Sequence, residues 1–241
     1  MIDDPGFPDA KVPNGVTRTE VVQGILDLFE NPNYLEIGVF EGKTFNNLKA
    51  GSKSAVDPAF AFDYQAVAAE DKSAQFFKVT SDRYFAEHAP QDSKFDVVYI
   101  DGLHTFEQTL RDLLNAFSYT HERSVIVIDD VYPSSYIAGL PDKRQFVQAR
   151  ELSGLKSRDW MGDVYKLIYF IETFCQQYDY RTINNNHGQL VLWRARRKDV
   201  RERTIAELAH LGYEKLFLEK DSLRLGSYAS ILETIKAVRS A

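Results

Sequence analysis

The run Tyr34-Leu-Glu-Ile-Gly-Val-Phe-Glu-Gly-Lys-Thr44 constrains this chain more than any other segment. A short apolar strand passes into Glu36 and two glycines, Gly38 and Gly42, and a second acid, Asp57, follows. Open α/β sheets hold nucleosides this way, because the tight turn lets a ligand approach the backbone and an acid about 20 residues on accepts from the ribose hydroxyls. The alternative for the same residues is a strand-to-helix turn that binds nothing.

The residues between the glycines separate three candidate ligands. A dinucleotide needs glycine two places after the first, so that the backbone can meet the pyrophosphate; that place holds Phe40. A phosphate-cradling loop needs four residues between its first glycine and Gly-Lys-Ser/Thr. Gly38 to Gly42-Lys43-Thr44 leaves three, and Glu36 would set a carboxylate beside the phosphates. S-adenosylmethionine carries no phosphate and tolerates both features, so it is the best chemical fit.

A chain of 241 residues with 44% hydrophobic content has room for one large α/β domain and an appendage. Its net charge of -6 argues against nucleic acid as a partner, which would call for phosphate neutralisation. The single cysteine, Cys175, excludes an intrachain disulfide framework and a cysteine-rich zinc site, and its apolar helical setting reads as core. No 18-residue apolar run and no secretory pattern is evident, so the expectation is a cytoplasmic protein with no membrane partner.

Residues 1–32 read as an arm containing Pro5, Pro8 and Pro13, then a helix beginning near Thr19 with Val22, Ile25, Leu26 and Phe29 on one face. Short apolar runs at 34–37, 54–56, 76–79, 95–100 and 125–128 then alternate with amphipathic stretches, among them Phe106, Leu110, Leu113, Leu114 and Phe117. The runs at 97–100 and 125–128 are apolar throughout, as parallel strands covered on both faces should be. A helix near 164–178 precedes two runs, 180–183 and 189–193, joined by Asn184-Asn-Asn-His-Gly188, whose composition suits a hairpin with an antiparallel strand at the sheet edge. The expected fold class is α/β: a doubly wound, mostly parallel seven-stranded sheet over 33–198 with extra terminal helices. Helical patterns at 200–211 and 222–238, within an appendage of 199–241, would serve dimerisation or cover the site. The long connection at 132–162 carries Lys143, Arg144, Arg150, Lys156, Arg158 and Trp160 and reads either as a substrate lid or as a solvated helical insertion.

Two adjacent strand ends bear acids: Asp101, followed by Gly102, Leu103 and His104, and Asp129 with Asp130. Ligands of open parallel sheets bind beyond the carboxyl ends of the strands, so three carboxylates and an imidazole converge on the cofactor crevice. Crowded carboxylates repel unless neutralised, and oxygen ligation favours magnesium or manganese. Taken singly, Asp101 and Gly102 form a turn, Asp129 caps a helix and His104 is a satisfied structural histidine; their recurrence at adjacent strand ends favours a site.

The segments from Glu36 to Gly42, Asp57, 95–104 and 125–130 resemble the class I S-adenosylmethionine-dependent methyltransferases of the macrocin O-methyltransferase type. The resemblance spans about residues 34–196 and implies a Rossmann-like methyltransferase fold. It implies that Asp101, Asp129 and Asp130 hold magnesium or manganese. Members with Asp-Gly-Asp use the second aspartate as base; Leu103 stands there in this chain, which instead looks like the macrolide-sugar O-methyltransferases with a histidine base three residues past the first ligand, here His104. Glu36, Gly38 and Gly42 would border S-adenosylmethionine, Asp57 the ribose, and Asp101 both cofactor and catalysis. Ser81 and Asp82 are either adenine-edge neighbours or a helix N-cap. Trp160 offers a face to a sugar; Asp163 reads first as the cap of the following helix and Lys166 as solvated, with substrate contact as the second reading.

The expected reaction is metal-assisted methyl transfer to a hydroxyl of a small-molecule acceptor, a sugar or glycosylated natural product. A nicotinamide-dependent oxidoreductase is disfavoured by Phe40 and the clustered acids. A non-catalytic cofactor-binding scaffold is disfavoured by the intact Asp101, His104, Asp129 and Asp130.

Overall fold

The computed structural model of the chain describes residues 15–90, 94–199 and 201–240. The proline-bearing arm falls almost wholly outside them, as does Val200 at the head of the pattern at 200–211. The order along the chain is α1 (Arg18–Leu26), β1 (Asn33–Ile37), β2 (Ser52–Val56), α2 (Tyr64–Glu70), β3 (Ala74–Phe77), α3 (Ser81–Glu87), β4 (Phe95–Ile100), α4 (Phe106–Ser118) and β5 (Thr120–Ile128). Then come α5 (Lys143–Ser153), α6 (Lys166–Phe174), β6 (Tyr178–Ile183), β7 (Leu190–Arg194), α7 (Ile205–Ala209), α8 (Lys215–Leu218), β8 (Leu225–Gly226) and α9 (Tyr228–Ser240).

All eight strands join one sheet in the order β3-β2-β1-β4-β5-β7-β6-β8. Pairings among β1 to β5 are parallel, β7 is antiparallel to both β5 and β6, and β8 runs parallel to β6. The fold is thus the expected mostly parallel α/β sheet with one strand more. The hairpin supplies the antiparallel strand, β7, with β6 and the two-residue β8 outside it.

Alternation explains why the central strands are apolar throughout. Val97, Val125 and Val127 pack with Val21, Val22, Ile25 and Leu26 of α1 and with Tyr228, Ile231 and Ile235 of α9. Val98, Ile100, Ile126 and Ile128 face the opposite way, into a core with Leu113 of α4 and Leu167, Ile168 and Ile171 of α6. Leu114 is the exception to the helical stripe of α4 and is exposed.

α1 begins one residue before the expected Thr19 because Thr17 and Glu20 form a capping box: Glu20 N donates to Thr17 Oγ1 (3.2 Å) and Thr17 N to the Glu20 carboxylate (2.7 Å). The carboxyl-terminal segment packs on the same body, since β8 joins the sheet and α9 shares a core with α1. Tyr228 Oη donates to Val21 O (3.0 Å), tying the last helix to the first. Tyr228→Phe, which keeps the ring and removes this bond, should lower unfolding free energy by about 1 kcal/mol in urea denaturation.

Candidate active site

The three central strands end level. Ile37 faces Ile100 across β1 and β4, and Ile100 faces Ile128 across β4 and β5. The ladder continues one step: Asp101 N donates to Ile37 O (2.8 Å) and Asp129 N to Ile100 O (3.0 Å). Gly38, Asp101 and Asp129 therefore emerge side by side at the carboxyl edge. Gly38 has φ 87°, and a Cβ there would fall 1.9 Å from Asp101 O, so only glycine permits this approach.

Parity aims the acids. Tyr99, Asp101 and Asp129 point toward the α1 side, where Tyr99 Oη donates to Asp129 Oδ2 (2.9 Å) and lies 3.4 Å from Asp101 Oδ2. Arg18, in the first turn of α1, contacts Asp129 through Nε and lies 3.9 Å from Asp130 Oδ1 through Nη2. Burial would raise the Asp129 carboxyl, but Arg18 outweighs it and holds the group below its ordinary value. Burial, then the Asp129 charge, pushes Asp101 and Asp130 upward. Asp129 Oδ1 is buried without a hydrogen-bond partner.

His104 Nδ1 sits against Asp130 Oδ2, and its Nε2 is 3.7 Å from Asp101 Oδ1. Donor atoms of Asp101, His104 and Asp130 all lie within 4.8 Å of one another, a spacing that could hold a metal ion. His187, in the β6–β7 hairpin, places Nε2 3.6 Å from Asp130 Oδ1. Burial lowers the His104 pKa, yet the Asp130 contact prevails and holds it above its usual value.

His104 (φ 56°) and Asp130 (φ 62°) adopt left-handed backbone conformations that cost non-glycine residues about 1–3 kcal/mol each. The connection at 132–162 holds the first in place. A Cβ at Gly162 would lie 1.6 Å from His104 O, and the Trp160 ring stacks on the imidazole at 5.5 Å and 19°. Trp160 Nε1 donates to Leu140 O (2.7 Å), and Lys143 Nζ lies 5.5 Å over its ring.

Glu36 is buried on the same face of β1 as Tyr34, whose hydroxyl donates to it (2.6 Å). Burial raises its pKa to about 8, partly offset by Tyr34. Asp57 accepts from Phe40 N (2.8 Å) and Ala59 N (2.7 Å), which fixes the carboxylate while each oxygen keeps further accepting capacity. Gly42 closes the turn by donating to Val39 O (2.8 Å).

Other expected site residues are engaged differently. Thr80, rather than Ser81 or Asp82, caps α3, and the Gln108 amide donates to both Ser81 Oγ and Asp82 Oδ1 (3.2 Å each). Asp163 does not cap the following helix; its Oδ1 accepts from Phe106 N (2.8 Å) at the start of α4. Lys166 is not solvated: it pairs with Asp163 (3.1 Å) and donates to Ala209 O (3.1 Å). Sequence reasoning missed Arg18, Tyr99 and His187. The capping box around Arg18 was a readable sign that its side chain begins a helix, though not of its partner. Asp112, also missed, is a buried α4 acid held by Gln108 (3.1 Å) and raised by burial to about 6.

Residues 35–131 match a family described as a methyltransferase domain. No curated protein matches the chain. Among solved structures, cofactor-bound Rv0187 from MTB is 16% identical with a TM-score of 0.51, over 78% of this chain and 85% of that one. A Corynebacterium glutamicum protein is 14% identical with a TM-score of 0.50, over 77% and 84%. TomG from Streptomyces achromogenes, an O-methyltransferase solved with SAM, is 15% identical with a TM-score of 0.47, over 78% and 83%. At these identities the likeness is one of fold. The chain thus has a Rossmann-like α/β fold, and the match to a methyltransferase domain lies over its first five strands. Among the described residues, no helix is long and apolar enough to cross a membrane.

Two outcomes follow from this geometry. The folded state keeps the Glu36 proton up to about pH 8 whereas the unfolded chain releases it near 4.5, so this group's contribution to stability is present below 4.5 and is lost as pH rises through 8. Glu36→Gln should therefore gain stability relative to wild type across that window in denaturation at stepped pH. Gly162→Ala should shift the His104 ring resonances in NMR spectra; Gly154→Ala, with nothing within 4 Å, should leave them in place.

Proposed function

We propose that the protein transfers a methyl group from S-adenosylmethionine to a hydroxyl oxygen of a small acceptor, a sugar or glycosylated natural product, with a divalent cation at the strand ends. The observation that carries this reading is the convergence of Asp101, Asp130 and His104 donor atoms within 4.8 Å beside the Gly38 turn. The orphaned, buried Asp129 Oδ1 and the carboxylate-rich donor set suit a hard cation. Asp101, Asp129 and Asp130 would hold it; when bound, magnesium or manganese supplies Lewis acidity that lowers the pKa of an acceptor hydroxyl.

S-adenosylmethionine supplies an electrophilic methyl group on a sulfonium. Asp57, fixed by two backbone amides, has the free lone pairs to accept from the ribose hydroxyls, and Glu36 and Gly38 border the methionine end. Asp130 orients the imidazole through Nδ1, which leaves His104 Nε2 to take the hydroxyl proton as methyl moves to oxygen. Trp160 stacks on a face of that ring, and Lys143 lies over the Trp160 indole. Phe40, 61% exposed at the turn, fills the place a dinucleotide would need for its pyrophosphate. The aspartates, the histidine three residues past Asp101 and the long lid are consistent with the macrocin and macrolide-sugar type. The exposed faces of the terminal helices leave a homodimer open to a test by sedimentation.

His104→Ala should cut turnover by about 100- to 10,000-fold, the ordinary range of general-base catalysis, while S-adenosylhomocysteine still binds in calorimetry. Asp57→Ala should do the reverse, weakening cofactor binding first. Assaying sugar and glycoside acceptors with manganese and with chelator tests the reading: full activity in excess chelator would remove the metal from it.

A further inference from the structure

We propose that Arg18 is an internal counter-cation which occupies the acidic cluster in the metal-free enzyme and is exchanged for the divalent ion when that ion binds. This rests on the proposed metal-assisted reading and goes beyond it, assigning to α1 a part in setting metal affinity.

Asp129 and Asp130 are buried adjacent acids, and Asp101 reaches the same Tyr99 hydroxyl as Asp129. Isolated carboxylates in such surroundings demand a compensating cation. The guanidinium of Arg18 provides it, contacting Asp129 through Nε and lying 3.9 Å from Asp130 through Nη2. Two of the three proposed metal ligands are therefore already engaged with a cation from the protein itself. A divalent ion seated on the same oxygens would stand within a few ångströms of a like charge, so the two occupants exclude each other.

The anchoring of Arg18 suits exchange by its side chain alone. Its backbone is fixed by the Thr17–Glu20 capping box, and the next turn of α1 is held by Tyr228 through Val21 O. The arginine side chain is 37% exposed while that of Asp129 is fully enclosed, so the guanidinium has a path to solvent and the carboxylate has none. His104, against Asp130 Oδ2, and His187, 3.6 Å from the same Oδ1 that Arg18 approaches, stay in place to hold that acid.

The test is manganese binding, read as loss of the free-ion electron paramagnetic resonance signal, in wild type, Arg18→Gln, Arg18→Lys and Asp101→Asn. Removing the competitor should tighten binding in Arg18→Gln by at least about fivefold, the lower end of ordinary coupling between two bound species. Arg18→Lys, which keeps the charge on a shorter fork-less side chain, should fall between. If Arg18→Gln binds manganese as wild type does, or more weakly, while Asp101→Asn loses it, the metal reading stands and the exchange is overturned. If wild type, Arg18→Gln and Arg18→Lys all fail to bind manganese, the metal reading itself fails and takes the exchange with it. Circular dichroism melts of the variants keep misfolding apart from these outcomes, and Arg18→Lys carries the test if Arg18→Gln does not fold.

Discussion

Carboxylates crowded at the level ends of β4 and β5 need positive charge, and much of the molecule is arranged around that need. Asp101 and Asp129 emerge side by side because Ile100 and Ile128 are in register, and Asp130 follows in a left-handed turn. No neighbour along the local chain other than His104 offsets them. The remaining charge comes from afar, Arg18 from α1 and His187 from the β6–β7 hairpin. Val16 N, just before α1, donates to Asn185 O in that hairpin (3.0 Å), so the two distant cations are delivered to the acids as one unit. Through Tyr228, α9 steadies the same helix, and a segment that looks peripheral in sequence supports the site.

Environment also divides the acids into distinct roles. Glu36 is buried with the Tyr34 hydroxyl as its donor, and its proton is retained to about pH 8. Asp129, a strand away and paired with Arg18, is held ionised. A neutral acid beneath the Gly38 turn and an anion at the end of β5 thus arise from the same fold, because burial prevails at the first and the Arg18 guanidinium at the second. The connection at 132–162 adds orientation to this electrostatic arrangement. Gly162 presses on the His104 carbonyl and Trp160 on its ring, so a strained loop residue is held from two directions.

The strands at 95–100 and 125–128 were legible because two-sided burial leaves a plain trace, a run with no polar interruption. The acids that follow them were legible for a related reason: where a buried strand stops, its first polar residue marks the sheet edge. Legibility failed where the partner was distant. Asp163 stands just before a helix and looks like its cap, yet it accepts from Phe106, 57 residues away. Lys166 looks solvated, yet it closes an ion pair with that aspartate. Arg18 has the ordinary look of a first-turn residue on an amphipathic helix.

From the sequence alone follow the doubly wound sheet, the glycine turn after β1 and the acids at the strand ends. These depend on spacing and parity, which act over a few residues and leave a written pattern. Only the tertiary structure decided which cations meet those acids, which ring nitrogen of His104 faces Asp130 and which helix Asp163 completes. Charge pairing and capping act through space, and chain separation imposes no pattern on them that a reader of residues could find.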